Sequence, residues 1–294
     1  MTGRLPVWLR QRAPSPSRLA EMKGLLDGLS LHTVCESAEC PNQGGCFTDG
    51  TVTFLILGDV CTRSCRFCAV VKGSPAALSL DEPEDVARAV KILGLAHSVI
   101  TSVTRDDLPY GGAEHFASTV AAIRRASPQT NIEVLIPDFQ GSRQALKIVI
   151  DSAPEVINHN IETVPRLYPE IRPGADYQRS LELLRRVRTM GPVIVTKSGL
   201  MLGLGEKADE VLAVLNELYQ AGCQILTLGQ YLRPSEGHYP VRRYVPPAEF
   251  EEYESIARKI GFRGITAAPL VRSSFQAAAV YRDCRSSFQP EAAR

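Results

Sequence analysis

Six of the eight cysteines lie between Cys35 and Cys68, while Cys223 and Cys284 stand far from them. The six divide into two triads. Cys61, Cys65 and Cys68 form a C-x3-C-x2-C run in the segment Gly58-Asp59-Val60-Cys61-Thr62-Arg63-Ser64-Cys65-Arg66-Phe67-Cys68. Three thiolates on one tight loop can hold three corners of a four-iron cluster, which usually takes four cysteine ligands. The missing fourth leaves one iron open, as a catalytic metal site requires and a closed structural site does not. Zinc with a fourth ligand from elsewhere is the alternative, but zinc favours C-x2-C or C-x4-C pairs and this spacing is unusual for it. Arg63 and Arg66 add positive charge that favours thiolates, hence metal binding or reactivity.

The upstream triad, Cys35, Cys40 and Cys46, has C-x4-C-x5-C spacing. Gly44 and Gly45 let the backbone fold tightly enough to turn all three inward. Two closed zinc sites sharing six cysteines would each be one ligand short. A simple two-cluster electron carrier supplies four cysteines per cluster, and the rest of the chain is larger than a carrier needs.

The elements that must position these triads follow from hydrophobic period. Short runs rich in Val, Ile, Leu and Thr predict strands at 51–58, 98–103, 131–136, 155–161, 193–201 and 224–229, buried on both faces. Between them Val86, Ala89, Val90 and Leu93 repeat at helical spacing, as do Val211, Val214, Leu215 and Leu218. Asp81 and Glu84 suggest a capping box, and Gly94, Gly191 and Gly222 suggest helix stops. About six β-then-α units and a final strand predict an α/β fold with a parallel sheet. Periodicity leaves an open doubly wound sheet and a partial barrel equally available; in both, chemistry gathers at the carboxyl ends of the strands. Residues 1–50 read as an N-terminal extension with its own site, interrupted by Pro6, Pro14 and Pro16. Residues 51–262 read as the sheet domain, and 263–294 as an irregular tail.

With 33 basic and 32 acidic residues among 294, net charge gives no reason to expect nucleic acid. No apolar stretch is long enough for a signal peptide core or a membrane span. Clustered cysteines without an export signal fit metal chemistry in a reducing, cytoplasmic setting.

Cys61, Cys65 and Cys68, with aromatic Phe67 before the last and a strand before the first, resemble the signature of the radical S-adenosylmethionine (SAM) enzymes. The segments HTVCESAECPNQGGCF, GTVTFLILGDVCTRSCRFCAV, TSVTRDDLPYGGAEHF, INHNIETV, RPGADYQRSLELL, TKSGLMLGLGE and QYLRPS together closely resemble the lipoyl synthase family, in register from about Leu5 to about Phe275. The resemblance implies a partial (β/α)6 barrel of radical SAM type whose terminal extensions carry an auxiliary cluster. It implies two 4Fe-4S clusters, with SAM chelating the open iron at Cys61, Cys65 and Cys68. The auxiliary cluster would be held by Cys35, Cys40 and Cys46, with Ser274 of Arg272-Ser273-Ser274-Phe275 as a weak oxygen ligand. Read without the resemblance, that serine suits a helix N-cap. The implied reaction inserts two sulfur atoms at C6 and C8 of an octanoyl group on a lysine of a lipoyl carrier domain, such as glycine cleavage H protein or a 2-oxoacid dehydrogenase E2, with the auxiliary cluster as sulfur donor. A reductant such as flavodoxin or ferredoxin and an iron–sulfur cluster carrier are implied as well. Two departures stand out: Phe275 replaces the usual tyrosine, and Ala268 the usual glycine. Biotin synthase, another sulfur-inserting radical enzyme, lacks both the first triad and the serine tail.

Other polar residues cluster near predicted strand ends. Asn158, His159, Asn160 and Glu162 follow the fourth strand, Lys197 and Ser198 lie on the fifth, and Arg172 precedes a helix. We take Asn158, Glu162, Arg172 and Lys197 as candidate SAM contacts against ordinary strand-end capping. Thr104–Asp107 is a further candidate edge. Gly203-Leu204-Gly205 lacks the third glycine of a dinucleotide fingerprint, and Gly111-Gly112 suits a turn. Arg242-Arg243 suits either a solvated face or contact with an acidic carrier protein.

Overall fold

A computed structural model of the chain describes residues 5–11 and 15–286; Pro14 and residues 287–294 lie outside the described residues. Eight strands form one sheet: β1 (His32–Thr33), β2 (Thr53–Ile56), β3 (His97–Ser102), β4 (Asn131–Leu135), β5 (Val156–Asn158), β6 (Val195–Leu202), β7 (Ile225–Gln230) and β8 (Gly264–Ala267). Their spatial order follows the chain from β1 to β8. A doubly wound sheet would reverse direction at a switch point; sequential order instead curls the sheet into a partial barrel. All pairs from β2 to β8 are parallel, and only β1 runs antiparallel, on β2.

Helices connect successive parallel strands, including Glu82–Leu93, Ala113–Ala126, Tyr177–Met190 and Ala208–Gln220. Alternate strand residues such as Ile100, Ile132 and Val134 bury themselves with Val86, Val90, Phe116 and Val120 of these helices. The opposite faces of the strands turn into the barrel. Gly94 closes the first helix in the left-handed conformation, as expected. The predicted capping box does not form, because Asp81 makes no side-chain cap and the carboxylate that matters belongs to buried Glu82.

The segment read as an irregular tail differs most from expectation. It supplies β8, which pairs with β7, and the helix Ala277–Ser286. β8 has four residues, too few to show a period, and it takes its shape from the neighbouring strand. The terminal helix plugs the amino end of the barrel, where Val280 and Cys284 pack with Val156, Val195 and Ile225. Among the described residues no helix is long and apolar enough to cross a membrane.

Candidate metal centres and cofactor cavity

The loop carrying the second triad begins at the end of β2, where Leu57 adopts a left-handed φ of 70°. Left-handed backbone is strained for a residue with a branched side chain. Two buried charges hold it. Leu57 N–H donates to Glu82 Oε2 at 2.8 Å, and Arg105 Nη1 donates to Leu57 C=O at 3.0 Å. His115 Nε2 backs the carboxylate at 2.6 Å. Gly112 completes the fit: a Cβ there would sit 2.5 Å from Leu57 Cδ1, so Gly111-Gly112 serves close approach as well as a turn.

Backbone donors reach into this triad. Thr104 N–H points at Cys61 Sγ at 3.3 Å, and Arg63 N–H at 3.5 Å. A Val70 N–H faces Cys68. Burial pushes the Cys68 thiol up to about 12, and the adjoining Cys65 and Cys61 push the same way. Burial also raises Cys65, against the opposing charge of Arg172. The expected roles of Arg63 and Arg66 are therefore not those found. Arg63 is committed to Asp106 and Asp138, and Arg66 leans over Tyr239 and toward Glu170. Arg172, distant in sequence, is the cation beside the thiols.

The first triad is assembled from separate pieces. Thr33 caps the short helix Val34–Ser37 through Glu36 N–H and so sets Cys35. Cys46 lies on the helix Gln43–Thr48. A Thr53 backbone N–H faces Cys35, whose thiol burial pushes up to about 12, reinforced by Cys40 and Cys46. The tail closes the site from the opposite end of the chain. Asn42 Nδ2 donates to Leu270 C=O at 2.6 Å, and Asn160 Nδ2 to Ser273 Oγ at 2.6 Å. Gly229 lets the tail pass, since a Cβ would stand 2.1 Å from Val271 O. Asn160 thus engages Ser273 and leaves the hydroxyl of Ser274 without a hydrogen bond among the described residues. The N-cap alternative for Ser274 does not fit, because the helix begins three residues later at Ala277.

All six cysteines and Ser274 line one cavity of about 590 Å³. Burial, aided by neighbouring cysteines, raises the thiols of Cys35, Cys46, Cys65 and Cys68, and such groups suit cationic iron, which deprotonates its thiol ligands outright. Among the described residues no three His, Cys, Asp or Glu side chains converge on a single metal ion. Glu162 and Arg172 line the same cavity. Glu162 has a left-handed φ of 66° and a pKa raised by burial, against the nearby Arg172 charge. Arg172 Nη1 donates to Asn160 O, Ile161 O and Tyr168 Oη at 3.1, 3.2 and 2.9 Å.

Asn158 and Lys197 are not in the cavity wall. Lys197 Nζ bonds Glu133 Oε1 at 2.8 Å and Oε2 at 3.1 Å, and Asn158 Nδ2 donates to Glu133 Oε1 at 3.1 Å. Burial disfavours a charged Glu133, but Lys197 outweighs it and holds the carboxyl down at about 2. These residues form a polar layer within the barrel. Sequence reasoning placed Asn158 at a strand end and Lys197 on a strand but could not see the inward partner, Glu133, which carries no local signal. Asp138 was missed for the same reason, whereas Asp106 belongs to the Thr104–Asp107 edge and turns to Arg63. Arg243 pairs with Glu249, and Arg242 stacks on Tyr239.

Comparison with known proteins supplies the context. Residues 55–218 match the Radical SAM superfamily. A lipoyl synthase of Rubrobacter xylanophilus is 54% identical over 280 residues, covering 95% of this chain and 87% of the relative. A lipoyl synthase of Geobacter sp. (strain M21) is 56% identical over 274 residues, covering 93% and 94%. Among solved structures, methylornithine synthase superposes with a TM-score of 0.55 at 16% identity, covering 87% of this chain and 76% of the other, which shows a shared fold.

Proposed function

The chain belongs to the radical SAM superfamily and, within it, to the lipoyl synthases, and on that premise we propose that it inserts two sulfur atoms at C6 and C8 of an octanoyl group amide-linked to a lysine of a lipoyl carrier domain. The observation that carries this reading is the single cavity lined by both cysteine triads and by Ser274. Sulfur insertion into unactivated carbon needs a radical source and a sulfur source within reach of one substrate chain.

Cys61, Cys65 and Cys68 would hold one 4Fe-4S cluster, and Cys35, Cys40, Cys46 and Ser274 the auxiliary one. With SAM bound there, the first would supply radical chemistry and the second would supply sulfur. Methylene C–H bonds have no acidity for a general base to exploit, so the chemistry belongs to the cofactors and the protein positions and shields. Glu162 lies just beyond β5 and Arg172 in the loop that bonds back to Asn160 and Ile161; both line the cavity, where they are suited to orient the amino-acid part of SAM. Lys197 and Asn158 act behind them by fixing Glu133. Ser274 offers iron a harder, more labile ligand than thiolate, a weak point for a cluster that surrenders sulfur. An octanoylated H protein or E2 domain, a flavodoxin or ferredoxin and a cluster carrier complete the reaction. Eight cysteines free of disulfides suit a reducing cytoplasm.

The test is an anaerobic assay with SAM, dithionite and an octanoylated carrier peptide. Lipoyl peptide with two 5′-deoxyadenosines per product is expected. 5′-Deoxyadenosine with no sulfur on the peptide would overturn the assignment.

A further inference from the structure

Arg63 stands between two cysteines of the second triad, and its guanidinium turns to two carboxylates. Its Nε reaches Asp106 Oδ2 at 2.7 Å, and its Nη2 reaches Asp106 Oδ1 at 2.9 Å and Asp138 Oδ1 at 2.6 Å. The Arg63 side chain is 9% exposed and that of Asp138 2%. Asp106 follows β3 and Asp138 follows β4. Asp138 also accepts from Gln140 N–H at 3.0 Å and from Arg179 Nη1 at 3.3 Å. Two cations and two carboxylates therefore close on each other without net charge. Such a group projects little field; what it provides is geometry.

That geometry bears on Cys61. Thr62 N and Oγ1 both donate to Thr104 O, at 3.0 and 2.9 Å, and Thr62 Oγ1 accepts from Asp106 N at 3.1 Å. The cysteine loop is thereby knitted to the loop after β3. The same register aims the Thr104 and Arg63 N–H groups at Cys61 Sγ. Donors directed at a ligand sulfur stabilise the extra negative charge of a reduced iron–sulfur cluster.

We propose that Arg63 is a positioning residue: by bridging Asp106 and Asp138 it holds the cysteine loop in register with the ends of β3 and β4, keeps two backbone donors on Cys61, and so raises the reduction potential of the cluster bound there. The proposal rests on reading Cys61, Cys65 and Cys68 as cluster ligands. Lysine cannot take over this role, because a single ammonium lacks the planar fork that spans two carboxylates.

The experiment is a redox titration of the reconstituted full chain, following by electron paramagnetic resonance the reduced-cluster signal that changes when SAM is added. Arg63→Gln and Arg63→Lys are both expected to move that midpoint to more negative potential, and Asp106→Asn to move it the same way by less. If Arg63→Lys keeps the wild-type potential, the effect is one of charge and the positioning role falls. It also falls if all three variants keep that potential and lose only thermal stability. Should Arg63→Gln fail to assemble a cluster, the shift in Asp106→Asn decides. Wild-type protein that binds no SAM-responsive cluster would overturn the ligand reading instead.

Discussion

The two cysteine triads share a cavity but are built in opposite ways. Cys61, Cys65 and Cys68 sit on one continuous loop, gripped from below by Glu82 and Arg105 and from the side by Asp106 and Asp138. Cys35 and Cys46 sit on short helices of the N-terminal segment with Cys40 between them, and the site is closed by a tail that arrives 228 residues later, at the Asn42–Leu270 contact. A loop locked by local strain and buried charge suits a cofactor that must stay intact through many turnovers. A site closed by a remote segment can lose one wall without the other collapsing, which suits the sulfur-donating role proposed for it. The lesson is that ligand number alone did not separate the two; the way each site is supported does.

The strongest way to break this comparison is to remove one thiol from each side. Cys65→Ala should abolish both 5′-deoxyadenosine formation and sulfur insertion. Cys40→Ala should abolish sulfur insertion while SAM cleavage continues. Chromatographic product analysis decides, and equal loss of both products in both variants would make the triads one functional unit. Next in size is Ser274→Cys. A thiolate in place of the hydroxyl should retain auxiliary iron yet reduce sulfur transfer to near background; full transfer in that variant would refute the weak-ligand idea.

Gly229→Ala probes the closing wall directly. The added methyl meets Val271 O, so the tail must shift at a cost of about 1–3 kcal/mol, by analogy with overpacked cores. The reconstituted variant should fall from about eight irons toward about four, with the SAM-responsive cluster kept. Loss of that cluster instead would show that the tail supports both sites.

The smallest effect concerns the wall behind Arg172. His159 is buried, with Nδ1 donating to Ile136 C=O at 2.8 Å and Nε2 3.0 Å from Ser180 Oγ. Burial, aided by the Arg172 charge, lowers its pKa from 6.5 to about 4. The unfolded chain takes up a proton near 6.5 and the folded chain only near 4. Stability is therefore complete above 6.5 and declines as pH falls toward 4, by at most about 1.4 kcal/mol per pH unit. Urea titrations across that range should show a steeper decline in wild type than in His159→Gln. Parallel curves would mean that His159 is not held neutral.

Much of this was legible in the residues. Cysteine spacing, the alternation of strand and helix and the glycine stops all act through near neighbours, and each reappears where it was expected. The exceptions share a cause. β8 was too short to carry a period. Asp81 looked like a cap, while Glu82 was drawn to Leu57. Asn158 and Lys197 read as candidate cofactor contacts, and the structure places their side-chain nitrogens on Glu133, one strand from Asn158 and two from Lys197.

By itself the sequence determined that this protein has two incomplete three-thiol sites on an alternating α/β chain, because ligand type and hydrophobic period are local properties. Only the tertiary structure decided that the sheet curls in sequential order, that Arg172 rather than Arg63 stands beside the thiols, and that Ser274 and both triads open onto one cavity. Those outcomes depend on contacts between residues tens to hundreds of positions apart, where burial selects partners that no local pattern encodes.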